Sequence, residues 1–327
     1  MSRRVILVFV DGVGLGADDP SKNAFAAARL PVLRGLLEGA APVAGIAPLH
    51  TARASLLGLD ATLGLPGAPQ SGTGQAALLT GQNAAARFGR HFGPWVPASL
   101  RPMLRAQNVL VAAQRAGRTV AFANAYPEEL FSLPVPAPVQ RSTGVPLPSD
   151  AGRRARGMPR YLEAGPPMAA LAAGVLTRHT DALARREAVA SEITNDGWRE
   201  GLGRTDLPVI TPHDAGRNLA RLGAQHDLTL FAHYATDYAG HSGRMDRAVE
   251  AVERVDAFLG GLHAAMTPDT TVIVTSDHGN IEDVGDGHTR NPVLTLVTGH
   301  DHAALSEGWT VITDVAPAIL RALAVAE

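Results

Sequence analysis

The chain has 327 residues, 46% hydrophobic and 18% charged, with a net charge of −2; it is long enough for a large buried core, and no global basic field argues for nucleic acid. It contains no cysteine, which excludes disulfides, thiolate metal sites and cysteine nucleophiles together. No stretch reaches the roughly 18 apolar residues of a membrane span, and the apolar run after Arg3 and Arg4 is cut by Asp11 too early for a signal peptide, so a cytoplasmic protein is expected.

In chain order, VILVFV at 5–10 is a short continuous apolar run, as expected for a central parallel strand buried on both faces. It ends in DGVG, which puts Asp11 at the strand's carboxyl end, where open α/β sheets place their ligands. Residues 23–28 read as helix, and 31–38 as a second helix with proline in its first turn. A Gly- and Pro-rich loop, 58–69, then leads to QSGTGQAALLTG at 70–81, a turn with Ser71 at its tip that opens a helix expected to run to about residue 86. There the unpaired N–H groups and the positive end of the helix dipole favour an anion, and Gly72 and Gly74 leave room for close approach. Taken alone, the same residues also make an ordinary tight turn into a helix.

The pattern is helical again over 104–116, stops at Gly117, and becomes a strand over 119–123. Residues 130–168 differ in kind: eight prolines, the arginines Arg141, Arg153, Arg154, Arg156 and Arg160, and no sustained period. An Ala-rich, helix-like tract follows over 169–194. Thr211-Pro212-His213-Asp214 is a helix opening, with Thr as N-cap, Pro in the first turn and an acid at the third position; the helix reaches residue 222 and leads into a strand at 228–232. Met245, Ala248, Val249, Val252, Val255, Leu259 and Leu262 recur at helical spacing, and Gly260-Gly261 reads as the helix end. Strands at 271–275 and 293–297 and a last helix at 314–323 close the chain. This alternation predicts an α/β fold, a mostly parallel sheet sandwiched between helices. The core is expected from 1–127 and 207–327, with a small inserted cap over 128–206 that would recognise the substrate.

Three polar clusters are expected to follow strands: HYATDYAGHSG at 233–243 offers Asp237 and His241, TSDHGNIED at 275–283 offers Asp277 and His278, and GHTRNPV at 287–293 offers His288. With Asp11 and Ser71 they make seven candidate O and N ligands at loops on one sheet edge. Carboxylate and imidazole without thiolate suit Zn or Mn better than Ca or Mg. A single Asp after a strand is more often a helix cap, and a single loop His more often solvated; His50, His179, His226, His263, His300 and His302 fall in that class. Only the joint occurrence is specific.

In this order, DGVG, QSGTGQ, TDYAGHSG, SDHGN and GHTRNPV resemble the alkaline phosphatase superfamily, closest to its branch of cofactor-independent phosphoglycerate mutase and phosphopentomutase. The resemblance covers roughly 5–86 and 207–327. Carried over residue by residue, it implies one divalent ion held by Asp237, His241 and His288, and a second held by Asp11, Asp277, His278 and the Ser71 oxygen. Phosphoglycerate mutases of this type are considerably longer, with a larger inserted domain and a Gly- and His-rich stretch that holds the substrate; the nearest region here reads Asn124-Ala125-Tyr126-Pro127. That departure tilts the expectation toward hydrolysis.

The expected function is therefore a two-metal (Mn or Zn) phosphoester hydrolase acting on a small phosphorylated metabolite through a phosphoserine at Ser71. A hydroxyl on a dication loses its proton near neutral pH, and two ions about 3.5–4 Å apart can clamp a phosphoryl group. Thr73, two residues on, is the rival nucleophile. The first alternative is a phosphomutase of the phosphoglycerate or phosphopentose type, and the second a non-catalytic metal-binding relic of the fold. Lys22, Arg87, Arg141, Arg153 and Arg154 are the candidate substrate contacts, though the arginine cluster reads equally as a solvated loop. Nothing in the chain speaks to nucleic acid, membrane or oligomeric partners.

Overall fold

In the computed structural model, residues 3–128, 160–285 and 287–325 are described. Seven strands, β1 (Arg4–Val10), β2 (Leu49–His50), β3 (Ala54–Leu59), β4 (Val120–Phe122), β5 (Leu228–His233), β6 (Thr270–Thr275) and β7 (Val293–Gly299), form one sheet in the order β2-β3-β7-β6-β1-β5-β4. β6, β1, β5 and β4 run parallel, with Val8 opposite Phe231 on one side and Val274 on the other. β7 then reverses direction, antiparallel to both β6 and β3, and β2 is antiparallel to β3. The core is thus mostly parallel and covered by helices on both faces, as expected.

β1 explains its own composition. Val5, Leu7 and Phe9 pack into one apolar cluster and Ile6, Val8 and Val10 into the other, because successive side chains leave opposite faces of a strand. A strand covered on both sides therefore reads as unbroken hydrophobics.

Several expected boundaries move. The 58–69 loop begins two residues later than read, because ASLLGL at 54–59 is β3, paired along its whole length with β7. The helix from Ser71 ends at Thr80, where Gly81 turns left-handed, and a separate helix, Ala84–Phe88, follows. The 104–116 helix is two helices, Arg101–Gln107 and Val109–Arg115. Asn108 divides them: its amide donates back to Leu104 O at 2.8 Å, and its Oδ1 accepts the N–H groups of Leu110 and Val111 at 3.1 Å each, so it closes one helix and caps the next. The 169–194 tract holds only the helices Gly165–Ala172 and Thr180–Ala184 before it turns irregular.

The Thr211 capping box forms as read: Asp214 N–H donates to Thr211 Oγ1 and the Thr211 N–H to Asp214 Oδ2. Gly260-Gly261, read as a helix end, lies inside the helix Met245–Ala265. A Cβ on Gly261 would stand 1.8 Å from His213 O and one on Gly216 2.0 Å from Phe258 O. These glycines let the helices Pro212–Gly223 and Met245–Ala265 touch backbone to backbone, and their role is packing. Among the described residues no helix is long and apolar enough to cross a membrane.

Candidate active site

The site assembles at the carboxyl ends of β1, β5 and β6. Asp11 leaves β1 with its N–H donated to His233 O at 2.9 Å and its carbonyl receiving the Thr236 hydroxyl at 2.6 Å, so β1 and the loop after β5 are tied together. Asp237 and His241 lie one turn apart on the helix Ala235–His241, with Oδ2 and Nε2 3.4 Å apart. Asp277 and His278 follow β6 and are fully buried. His288 precedes β7. Since β7 runs against the others, its amino end lies at their carboxyl ends, which brings His288 in and carries His300 and His302, beyond the far end of β7, away to the opposite edge.

The seven candidates form one connected cluster. His278 Nε2 stands 2.9 Å from Ser71 Oγ, 3.3 Å from Asp11 Oδ1 and 3.8 Å from Asp277 Oδ2. Its ring stacks on His288 with centroids 3.8 Å apart. His288 Nε2 lies 3.7 Å from Asp237 Oδ1 and 3.1 Å from His241 Nε2. Two groups, Asp11–Asp277–His278 and Asp237–His278–His288, each present ligand atoms within 4.8 Å of one another.

Surrounding groups set the orientation of these ligands. His278 Nδ1 donates to Gly279 O at 3.3 Å and His288 Nδ1 to Pro69 O at 3.0 Å; a carbonyl only accepts, so each ring carries its Nδ1 proton outward and turns Nε2 to the cluster. Asn280 donates to Asp237 Oδ1 at 2.6 Å. Gly12, at φ +67°, passes so close that a Cβ would stand 2.5 Å from Asp237 Oδ1. Glu282, buried, accepts from Gly14 N–H at 2.9 Å, Asn280 N–H at 2.8 Å, Asn291 Nδ2 at 3.2 Å and the Thr289 hydroxyl, and so joins the β1, β6 and β7 loops.

The electrostatics are those of a site built around positive charge. Burial, and then the Asp277 charge, push the Asp11 carboxyl well above its usual range, and burial likewise raises Asp277. Burial alone would lower His278, but the Asp277 charge, the Asp11 hydrogen bond and the Asp237 charge outweigh it and carry the imidazole up to about 10. His288 is pushed down to about 4 by burial and by its charged neighbour His278. Asp11 Oδ1 faces only His278 Nε2, 3.3 Å away, and Asp277 Oδ2 is buried without a hydrogen-bond donor. The buried carboxylate oxygens and the convergent Nε2 atoms fit a divalent metal ion.

Ser71 and Thr73 separate cleanly. Ser71 opens the helix Ser71–Thr80 and faces His278, whereas Thr73 points to another loop: its hydroxyl accepts the Phe92 N–H at 3.1 Å and lies 3.2 Å from Gln70 O, and its own N–H donates to Phe92 O at 2.9 Å. Lys22 and Arg87 are both exposed, Lys22 with its carbonyl accepting Val284 N–H and Arg87 in the last turn of the helix Ala84–Phe88; neither has a contact with the cluster among those described. Arg141, Arg153 and Arg154 lie outside the described residues. Other histidines are occupied elsewhere: His50 and His302 both meet Ser55 Oγ, His263 meets Thr298, His179 the Tyr126 carbonyl and His226 the Leu222 carbonyl. Asn280 and Glu282 carry no mark of their own in the sequence, because both sit inside a motif read only for its direct ligands.

Residues 215–327 match the model of the Metalloenzyme superfamily. The chain is 35% identical over 113 residues to a 2,3-bisphosphoglycerate-independent phosphoglycerate mutase of Thiobacillus denitrificans, covering 32% of this chain and 22% of that protein. It is 36% identical over 125 residues to the protein of the same name from Cereibacter sphaeroides, covering 35% of this chain and 24% of the relative. The match thus spans less than a quarter of the length of these relatives. Among solved structures, the PH0037 protein from Pyrococcus horikoshii aligns over 100% of this chain and 98% of its own, with a TM-score of 0.55 at 14% identity, a likeness of fold.

Proposed function

We propose that this chain is a member of the alkaline phosphatase superfamily, near its cofactor-independent phosphoglycerate mutase branch, and a metal-dependent phosphoester hydrolase working through a phosphoserine at Ser71. The observation that carries this reading is the 2.9 Å contact between Ser71 Oγ and Nε2 of His278, the residue common to both groups of converging ligands. Two divalent ions, Mn or Zn, held by Asp11, Asp277, His278 and Ser71 and by Asp237, His241 and His288, would lower the serine's pKa and neutralise charge developing on the phosphoryl oxygens.

The rest falls to the chain itself. The turn before the helix Ser71–Thr80 aims Oγ into the cluster. A Ser71 O–P bond forms as the ester P–O bond breaks, and the departing alcohol takes the serine's proton. Water then adds to phosphorus, releasing orthophosphate and restoring the hydroxyl. The substrate is a small phosphorylated metabolite, and residues of the 128–206 insert would select it.

Mutase chemistry is the second reading, favoured by the names of the relatives. It shares the first half-reaction and differs only in returning the phosphoryl group to another hydroxyl of the same substrate. Release of phosphate from an aryl phosphate by the wild type, with loss in Ser71→Ala, supports hydrolysis; equal activity in both removes Ser71 from the mechanism. Interconversion of 3- and 2-phosphoglycerate without free phosphate replaces hydrolysis by the mutase reading.

A further inference from the structure

We propose that Gln75 is a positioning residue, one that sets the Asp11 carboxylate and references it to the helix Gly165–Ala172. Gln75 lies in the second turn of the nucleophile's helix and is 1% exposed. Its side chain spans two separate parts of the fold: Oε1 accepts the Gly165 N–H at 2.8 Å, and Nε2 stands 3.5 Å from Asp11 Oδ2. The orientation is chemically determined. A backbone N–H can only donate, so the atom facing Gly165 must be the carbonyl oxygen, and the NH₂ group is thereby aimed at Asp11.

This divides the two oxygens of Asp11. Oδ2 faces Gln75, while Oδ1 faces His278 Nε2 and has no other hydrogen-bond donor; Oδ1 is therefore the oxygen left for a cation. Gly165 is itself held firmly. Two residues earlier, Glu163 accepts the Val96 N–H through its carbonyl at 3.1 Å and pairs with Arg101 at 3.2 Å through its carboxylate, and Arg101 Nε donates to Val96 O at 3.0 Å. The same 92–96 loop supplies the Phe92 carbonyl that receives Thr73 N–H in the first turn beyond Ser71. The serine's turn and the aspartate are thus both registered against one segment. The Gln75 carbonyl also satisfies the buried Gly165 N–H, a structural role that a site-selective metal readout separates from the setting of Asp11.

The inference rests on Asp11 holding a cation, as proposed above, and the test separates the two. Zn²⁺ is titrated into the metal-stripped full chain by calorimetry, for the wild type and Gln75→Met, alongside hydrogen exchange at the Gly165 amide. The expected result is two binding steps in the wild type, with one weakened roughly 10- to 100-fold in Gln75→Met and the other unchanged within twofold. Zn²⁺ should also slow Gly165 exchange in the wild type and lose that effect in the variant. If Gln75→Met is insoluble, Gln75→Asn, one methylene too short to reach both partners, should give the same site-selective loss. A folded variant that binds both ions as the wild type does, or loses both equally, overturns the role of Gln75. A wild type that binds no Zn²⁺ overturns the metal reading on which it rests.

Discussion

Ser71 and His278 meet at 2.9 Å although 207 residues of sequence separate them. The contact joins the start of one helix to the loop after β6. It places a hydroxyl at the one imidazole shared by both sets of candidate ligands. Ser71→Ala should therefore lower turnover by about 10³-fold or more, as loss of a covalent nucleophile does. Thr73→Val should keep activity within about tenfold, because the Thr73 hydroxyl serves the Phe92 loop. Intact-mass detection of a phosphorylated chain, trapped at low pH and absent in Ser71→Ala, is the direct check.

His278→Ala should weaken binding of the ion it would hold with Asp11 and Asp277 more than of the other, since one imidazole nitrogen ligates one ion. His300→Ala, at the other edge of the sheet, should bind metal like the wild type. Atomic-emission analysis after dialysis against Mn²⁺ or Zn²⁺ distinguishes them, and equal content in the two variants would contradict the assignment.

The pH dependence of stability should differ between metal-free and metal-loaded protein. In the metal-free fold His278 titrates at about 10, above the unfolded value of about 6.5. Its charged form thus contributes stability that is fully present below about pH 6.5 and is lost as pH rises toward 10. His288, held down to about 4, acts in the opposite sense and removes stability as pH falls from about 6.5 toward 4. The metal-free protein should melt at lower temperature at pH 9 than at pH 7. With metal bound, the cation replaces the His278 proton and the difference should shrink. At pH 7 metal binding should release protons, read as a buffer-dependent enthalpy in calorimetry.

Gly12→Ala should damage the site more than the fold. The substitution forces an L-residue to φ +67° and puts a methyl 2.5 Å from Asp237 Oδ1. The backbone cost is about 1–3 kcal/mol, while displacement of a ligand should weaken metal binding by about 10- to 100-fold. Denaturant melts of the metal-free protein and metal titrations measure the two separately.

Gly261→Val is the complementary case. Its side chain would enter the contact with His213 O, 1.8 Å from the Cβ position, and overpacking should cost about 1–3 kcal/mol or more. Metal stoichiometry of the folded fraction should be unchanged. Loss of metal without loss of stability would show that this helix pair does more than support the sheet.

Particular residues show where local pattern sufficed. β1 was legible because burial on both faces leaves no polar residue in the run, and Thr211 because a capping box is satisfied within four residues. Gly260-Gly261 misled because a glycine that ends a helix and one that lets two helices touch look alike until the partner, here His213, is present. β3 was hidden for a similar reason: β2 pairs only with its Ser55 and Leu56, and its full length is paired by β7, more than two hundred positions away.

The inventory is written in the residues alone: an α/β alternation, a serine at a helix start, and acids and imidazoles at strand ends without thiolate. Which of them converge depends on how the strands are ordered in space. β1 lies between β5 and β6, and β7 runs backward, so Asp11, Asp237, Asp277, His278 and His288 share one edge while His300 and His302 leave by the other. Ligand atoms must come within a few ångströms of one another, and that separation is set by strand order and direction, which follow from burying both faces of the whole sheet and leave no mark on any single local stretch.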